Sequence, residues 1–569
     1  MGPPSGKATI PLFMYSIATT AIVYQNYIFI AFLFKEHRAY EWLCTGEKDQ
    51  MGGDFFVCKE QENYIQFLLV LGLIIQFISG SVGSILINVL SKKKYVSRVA
   101  FAFLFTGWTL LSVALSYSKH YMEGYSQIGT SGESGESGES GDDLGTLRRG
   151  FQTISLLFNL AFACFGIGSD NSYLPIIYYV NEKYPVEQGE RTRKSGDPAN
   201  GSGQAEGVNG QAGGVNGQAG GVNGHTESTH HRSESKLGAL KNILKNKNYI
   251  LISTMSSLAV LSLFVGNVLL AALNALEGKN NITVVVALYI LLCIVPSFFI
   301  ANLLDEREGR TGDNVEITQQ AAPNVEITQK VAPNMKITQQ TAPNVESTQL
   351  CGNIHLDALK NQVKSPFYQF IVIEFFTVTF SICYFMFSLF DIYEHSVFGD
   401  TLNIYSLLLP SSFIITLTFG IIADIISIYN FMSFNLILGI SVFSLTWIYY
   451  KTASVFVGYL SLIIYFFHQS FFANHMYMYM STVFPEHNFA VLIGIINAFA
   501  SVAFFLSFKS FEYIKYHGGP VHSQLLTQVI IISYVLLFLF HVFYIKRKAT
   551  SGQFMMTKGG TSEVAQTNV

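Results

Sequence analysis

The chain has 569 residues, of which 50% are hydrophobic and 13% charged, with a formal net charge of −3. A soluble protein could not hide this much apolar surface around one core, and the mean hydropathy is +0.34 even with long hydrophilic loops diluting it. The near-neutral charge points to no nucleic-acid partner.

Apolar stretches of about twenty residues are long enough for an α-helix to cross a ~30 Å hydrocarbon core. They are continuous rather than alternating, which predicts helices and not strands. The expected spans, in chain order, are 9–34, 64–90, 96–118, 151–180, 249–276, 284–304, 367–390, 402–426, 429–450, 453–482, 488–510 and 524–545. The fold class expected is all-α: a polytopic membrane protein with 12 transmembrane helices in two six-helix halves.

Met1–Lys7 leads straight into a stretch reaching Phe34. That is too long for the apolar core of a cleavable signal, so it is read as the first span. The loop that follows holds Cys44 and Cys58. They can close a small disulfide loop if that side of the membrane is oxidising, with two free thiols as the alternative. After span two come Lys92, Lys93 and Lys94. The loop 119–150 contains a Gly-Glu-Ser repeat at Gly132–Ser140, and the loop 182–247 a Gly-Val-Asn-Gly-Gln-Ala-Gly repeat at Gly207–Gly224. Asn281-Ile282-Thr283 is a glycosylation sequon, but it abuts span six.

The N-terminal half is read as 8–304, a connector as 305–366, the C-terminal half as 367–548 and a tail as 549–569. The connector carries a ten-residue repeat over Asn314–Gln349, with Pro at each boundary. Such segments bury too little apolar surface to offset chain entropy and are expected to be dispensable loop expansions. An even span count puts both termini on one side, and Lys546, Arg547 and Lys548 place that side in the cytosol.

Two features suggest that the halves are repeats. Span four closes on Tyr184-Pro185 and span ten on Phe484-Pro485, at equivalent places. In the major facilitator superfamily, which shares the 6+6 layout, a Gly and an Asp four residues later often precede a basic run between spans two and three. Ser84 and Asn88 stand in those positions in the first half, and Gly420 and Asp424 in the second. Asn88, Gly420 and Asp424, together with Pro175 in span four, are the expected gating positions.

In that layout spans one, four, seven and ten line a central cavity. The polar residues at helical spacing on them are the candidate substrate ligands. They are Tyr15, Thr19 and Asn26 on span one; Asn159, Asp170, Asn171 and Tyr173 on span four; Glu374, Thr377 and Ser381 on span seven; and Tyr465, His468 and His475 on span ten. Asp170 is the sharpest of them, because an ionisable group inside a bilayer is costly and faces a bundle interior or water. Pro175 lacks an N–H and so frees the Asn171 carbonyl. A broken helix there would offer an ammonium or cation both a carboxylate and a carbonyl. The alternative is a kinked helix whose Asp170 pairs with a polar neighbour. Asp170, Glu374 and His468 are also candidates for proton coupling; against that, His468 and His475 can be hydrogen-bonded across helices, and Glu374 can be simply solvated. No metal site, cofactor or catalytic motif is visible, so the chain is not expected to be an enzyme. No Arg lies deep in a span, which suits neutral, zwitterionic or cationic solutes better than anions.

The segment Phe484-Pro485-Glu486-His487-Asn488-Phe489-Ala490-Val491-Leu492-Ile493-Gly494 resembles the Phe-Pro-x-x-x-Phe-x-x-Leu-x-Gly junction of facilitative system-L amino acid transporters. It is also similar to the related apicomplexan amino acid transporter family, with Ala490 replacing a common Gly. The biased loop repeats resemble those of malaria-parasite proteins. The resemblance implies a monomeric carrier that moves amino acids, neutral or cationic, across the parasite plasma membrane by alternating access. A major facilitator carrier of a sugar, nucleoside or monocarboxylate is the alternative. So is a non-transporting receptor or scaffold.

Overall fold

The computed structural model describes residues 6–44, 58–90, 93–131, 140–183, 247–276, 282–305, 358–393, 408, 411–484 and 488–550. The low-complexity repeats, the sequon Asn281, Pro485 of the junction and the tail beyond 550 lie outside them. The described residues are helical with no strand. Among them, nine stretches are long and apolar enough to span a membrane, or ten when one bent pair counts as a single span.

One of these, Phe489–Ala549, is 61 residues long, about twice what a bilayer needs. It folds back at Gly519, whose φ of +59° is a left-handed conformation that glycine adopts without a Cβ clash. Phe489–Tyr513 runs parallel to the seventh span, Pro366–Tyr393: the Tyr368 hydroxyl donates to the Leu492 carbonyl near one end, and Phe387 meets Phe508 near the other. Gly519–Phe540 then returns beside Ile428–Thr452, from Ser523 at Tyr450 to His541 at Tyr429. With Ser412–Ile426 as the described part of span eight, the chain accommodates twelve passes. The N-terminal helix begins on the face that holds Arg547 and Lys548: Phe13 packs on Tyr179, Tyr178 meets Phe489, and beside Tyr368, which bonds Leu492, Phe370 stacks on His541. That face is called the terminal face below.

Span one is broken. Gly6–Thr20 and Tyr27–Glu36 are separate helices, and the axis bends by 60°. Backbone groups freed at membrane depth must find partners inside the protein. Here they do. Asn26 caps the second helix by accepting from the Phe29 N–H at 3.1 Å. The Ile22 N–H donates to Ser262 Oγ at 2.9 Å, and the Ala21 carbonyl accepts from Ser169 Oγ at 2.5 Å. Ser262 itself sits at a break between Lys247–Leu261 and Leu263–Ala275 in span five. Span four, by contrast, is one helix from Ser140 to Lys183 and runs straight through Pro175. The broken helix expected at Asp170–Pro175 is therefore found in span one instead. A single proline removes one N–H from the ladder, whereas the span-one break has several side-chain partners to stabilise it.

The halves meet along two seams. Span two, Lys59–Leu90, packs on span eleven. There the Ser81 hydroxyl donates to the Gly494 carbonyl at 2.6 Å, and Lys515 pairs with Glu62 at 2.9 Å. Span five packs on span eight, with Phe264 edge-on to Phe413. Within the first half, span two lies so close to span four that a Cβ on Gly166 would sit 2.4 Å from the Gly72 carbonyl. Cys44 and Cys58 are joined in a disulfide with Cα atoms 5.8 Å apart.

Candidate functional site: a cavity between the halves

A cavity of ≈ 200 Å³ lies between the two halves. It is lined by spans one, two, four and five on one side and seven, eight, ten and eleven on the other. The walls are mostly apolar and aromatic, with Phe77, Phe375, Phe472 and Phe504 among them. None of the described lining residues is Lys, Arg or His.

Asp170 is the only Asp or Glu among the described lining residues and is 3% exposed. Its Oδ1 accepts from Gln76 Nε2 at 2.5 Å and from the Tyr173 hydroxyl at 3.2 Å. Gln76 is in turn oriented by two donors to its Oε1, Tyr24 at 2.5 Å and Gln25 at 2.7 Å. These bonds fix the carboxylate in place, but none brings a positive charge. A buried carboxylate with neutral partners facing a cavity favours a cation there.

The other nominated residues divide among several places. Tyr173 lines the cavity beside Asp170. Asn171 faces the other way: it donates to the Ser79 and Ile167 carbonyls and lines a crevice with Gly83, where a Cβ would fall 1.8 Å from its Oδ1. Tyr15 and Thr19 pack on span six, through a Tyr15 hydroxyl bond to the Leu292 carbonyl and a Tyr289 hydroxyl bond to the Thr19 carbonyl. Asn26 is tied to Leu263 and Asn267 of span five. Asn159 and Thr377 are half-buried and do not line the cavity. The surroundings of Asn88, Gly420 and Asp424 lie outside the described residues.

Glu374, His475 and His468 do come together, but behind the cavity wall. The Glu374 carboxylate meets His475 Nε2 at 2.9 Å, with both side chains fully buried. Asn435 reaches Glu374 at 3.5 Å and His468 at 3.0 Å, and His468 continues to the Tyr534 hydroxyl at 2.9 Å. Tyr534 shares a 2.6 Å bond with Ser381. Tyr465 donates to the Ile382 carbonyl nearby. The stacked rings of Phe375 and Phe472, 5.1 Å apart, separate this network from the cavity.

Spans two, five, eight and eleven also contribute lining, which a search of spans one, four, seven and ten did not reach. Gln76 is the only amide between Phe67 and Ile87, and Asn497 the only amide in Phe489–Tyr513. A lone amide in an apolar span is a signal that would have found both.

On the terminal side of the cavity the two halves touch. Tyr173 and Tyr477 bring their phenols together, and Tyr178 stands edge-on to Phe489 at 6.0 Å. Ser81 and Gly494 add their hydrogen bond at the same seam.

No known sequence family and no curated protein matches the chain. Solved structures do. The outward-facing structure of a bacterial homologue of the iron transporter ferroportin aligns over 94% of this chain and 98% of its own, at 10% identity and a TM-score of 0.50. The proton:xylose symporter XylE of the major facilitator superfamily, bound to 6-bromo-6-deoxy-D-glucose, aligns over 95% and 97%, at 10% identity and a TM-score of 0.50. A double-tryptophan XylE variant aligns over 95% and 94%, at 12% identity and a TM-score of 0.52. With the two-half helical architecture and its central cavity, these likenesses identify the chain as a polytopic membrane protein of the major facilitator fold.

Proposed function

We propose that the protein is a transporter, not an enzyme, and that it carries a small organic solute bearing an ammonium group, an amino acid above all. The observation that supports this is Asp170, a buried carboxylate with only neutral partners at the edge of a cavity whose described lining holds no cation. An ammonium must shed water to enter such a site, and a fixed carboxylate offsets that cost. The aromatic walls suit the solute's apolar body. The junction after span ten, similar to that of amino acid carriers, favours an amino acid over a sugar, a nucleoside or a monocarboxylate, none of which needs a counter-charge of this sign. The same resemblance supports the parasite plasma membrane as its site, the even span count and the basic cluster at Lys546, Arg547 and Lys548 favour cytosolic termini, and the carrier is read as a monomer.

Uptake into expressing cells tests the reading. Labelled amino acids are expected to enter saturably, and their N-acetyl derivatives, which lack the ammonium, to compete at least about tenfold less well. Equal competition by the acetylated forms, or saturable uptake of a sugar alone, would overturn it. Surface delivery without any saturable flux would favour a receptor instead.

Transport proceeds by rocking of the two halves about the cavity, so the terminal face must part in each cycle. Cysteines placed at Tyr178 and Phe489 and bridged by a short bis-maleimide, with Cys164, Cys293, Cys351 and Cys383 replaced by Ala, are expected to hold the halves together. Flux should then stop while solute still binds from the opposite side. Undiminished flux in fully bridged protein would rule the rocking mechanism out.

A further inference from the structure

Asn497 belongs to neither the Asp170 cluster nor the Glu374 network, yet it lines the cavity. It sits on span eleven in the row Gly494, Asn497, Ser501 and Phe504, at the three- and four-residue spacing of one helix face. It is 1% exposed, and neither its Oδ1 nor its Nδ2 has a hydrogen-bond partner among the described residues. Because both ends of the amide are unpaired, this holds whichever way the amide is turned. Gln469, on span ten and also lining the cavity, has a buried, unpartnered Oε1. A buried amide is normally paired, and one left unpaired is costly. Elsewhere in this membrane interior the amides of Gln76, Asn26, Asn435, Asn171 and Asn267 each keep at least one bond, although Asn171 Oδ1 and Asn267 Nδ2 are unpaired.

Resting on the ammonium reading of Asp170, we infer that Asn497, on the same cavity wall of the C-terminal half as Gln469, is a second polar subsite, which holds the far end of the solute. The chemistry of the unpaired atoms limits what it takes. The group must accept from Nδ2, which an ammonium cannot do, and donate to Oδ1, and it must carry no net negative charge, because none of the described lining residues is cationic. A carboxamide, a hydroxyl or the paired ammonium and carboxylate of an amino-acid head meets these conditions. A lone carboxylate leaves Oδ1 unpaired and meets no counter-charge. The solute thus bridges Asp170 of one half and Asn497 of the other, and Asn497 sets which ammonium compounds are accepted. It is a specificity-determining residue.

The test uses two probes of equal chain length, pentylamine and 5-aminopentanamide, titrated into the purified full-length protein. Both carry the ammonium and only the second carries the amide. Wild type is expected to bind the amide about tenfold more tightly, the scale of a paired against an unpaired buried amide. Asn497→Leu, close in volume, should lose the preference, because pentylamine no longer leaves a buried amide unpaired there. No preference in wild type, or an unchanged preference in Asn497→Leu, overturns the subsite. If Asn497→Leu does not fold, Asn497→Ser is read in its place, and the wild-type preference remains decisive by itself. Failure of the ammonium reading looks different: neither probe then binds wild type, or both bind Asp170→Asn undiminished, and the subsite falls with it.

Discussion

Uptake by Asp170→Asn is expected to fall by about 30-fold or more, because removing one partner of a buried charge pair costs roughly 2–5 kcal/mol. The substitution keeps the side chain's shape. That matters here, since Asp170 is pressed against span two: a Cβ on Gly80 would lie 2.9 Å from its Oδ2. The helix and the Gln76 contact should survive, with the Asn oxygen still accepting from Gln76 Nε2 and the Tyr173 hydroxyl and the new Nδ2 in the place of Oδ2. The protein should therefore reach the membrane in normal amount, which surface labelling will check. Loss should be steepest for solutes with a second positive charge, because the cavity then holds no compensating charge at all. If Asp170→Asn transports normally at equal surface level, the ammonium has no counter-ion in the described cavity, and the amino acid reading loses its physical support.

The second large effect concerns the Glu374–His475 pair. His475→Leu leaves Glu374 fully buried with only the long Asn435 contact of 3.5 Å. Breaking a buried pair in this way costs about 3–5 kcal/mol, whereas replacing both members with apolar groups is often neutral or stabilising. The single variant should unfold at a clearly lower temperature in detergent, and Glu374→Leu/His475→Leu should recover most of the loss. A single variant as stable as wild type would mean that the pair is not held as an ion pair. Uptake by the double variant separates a structural role from the proton-carrying role suggested by the sequence. If its pH dependence matches wild type, the pair is structural. If uptake survives but its pH dependence is gone, the proton sits on Glu374 and His475.

Much of the architecture was legible in the sequence because a bilayer imposes its rules locally. Each span must be about twenty apolar residues and must satisfy its own backbone, so the all-helical fold and the span positions follow from hydropathy alone. The span boundaries differ mainly where helices extend past the hydrocarbon, as with Lys93–Ser131 and Ser140–Lys183. The break in span one was not legible. Nothing in Ile22–Asn26 is a proline or glycine, and the bend exists because Ser262 and Ser169, far away in the chain, accept and donate at its loose ends.

The site shows the same division. Asp170 stands out in sequence because a lone carboxylate in a span demands an explanation. Glu374 and His475 stand out for the same reason, but only packing decides that they pair with each other behind Phe375 and Phe472 rather than facing solute. Asn171 and Asp170 are adjacent in sequence, yet about 100° of helical rotation sends one into the cavity and the other into a crevice. Asn497 and Gln76 belong to spans outside the four that were searched. Each is the lone amide of its apolar span and so was legible as a polar outlier, but only the seam between spans two and eleven shows that both line the cavity. Hydropathy is a property of each segment and could be read from the sequence alone. Which polar atoms remain unpaired depends on neighbours hundreds of residues away, and only the folded chain decides it.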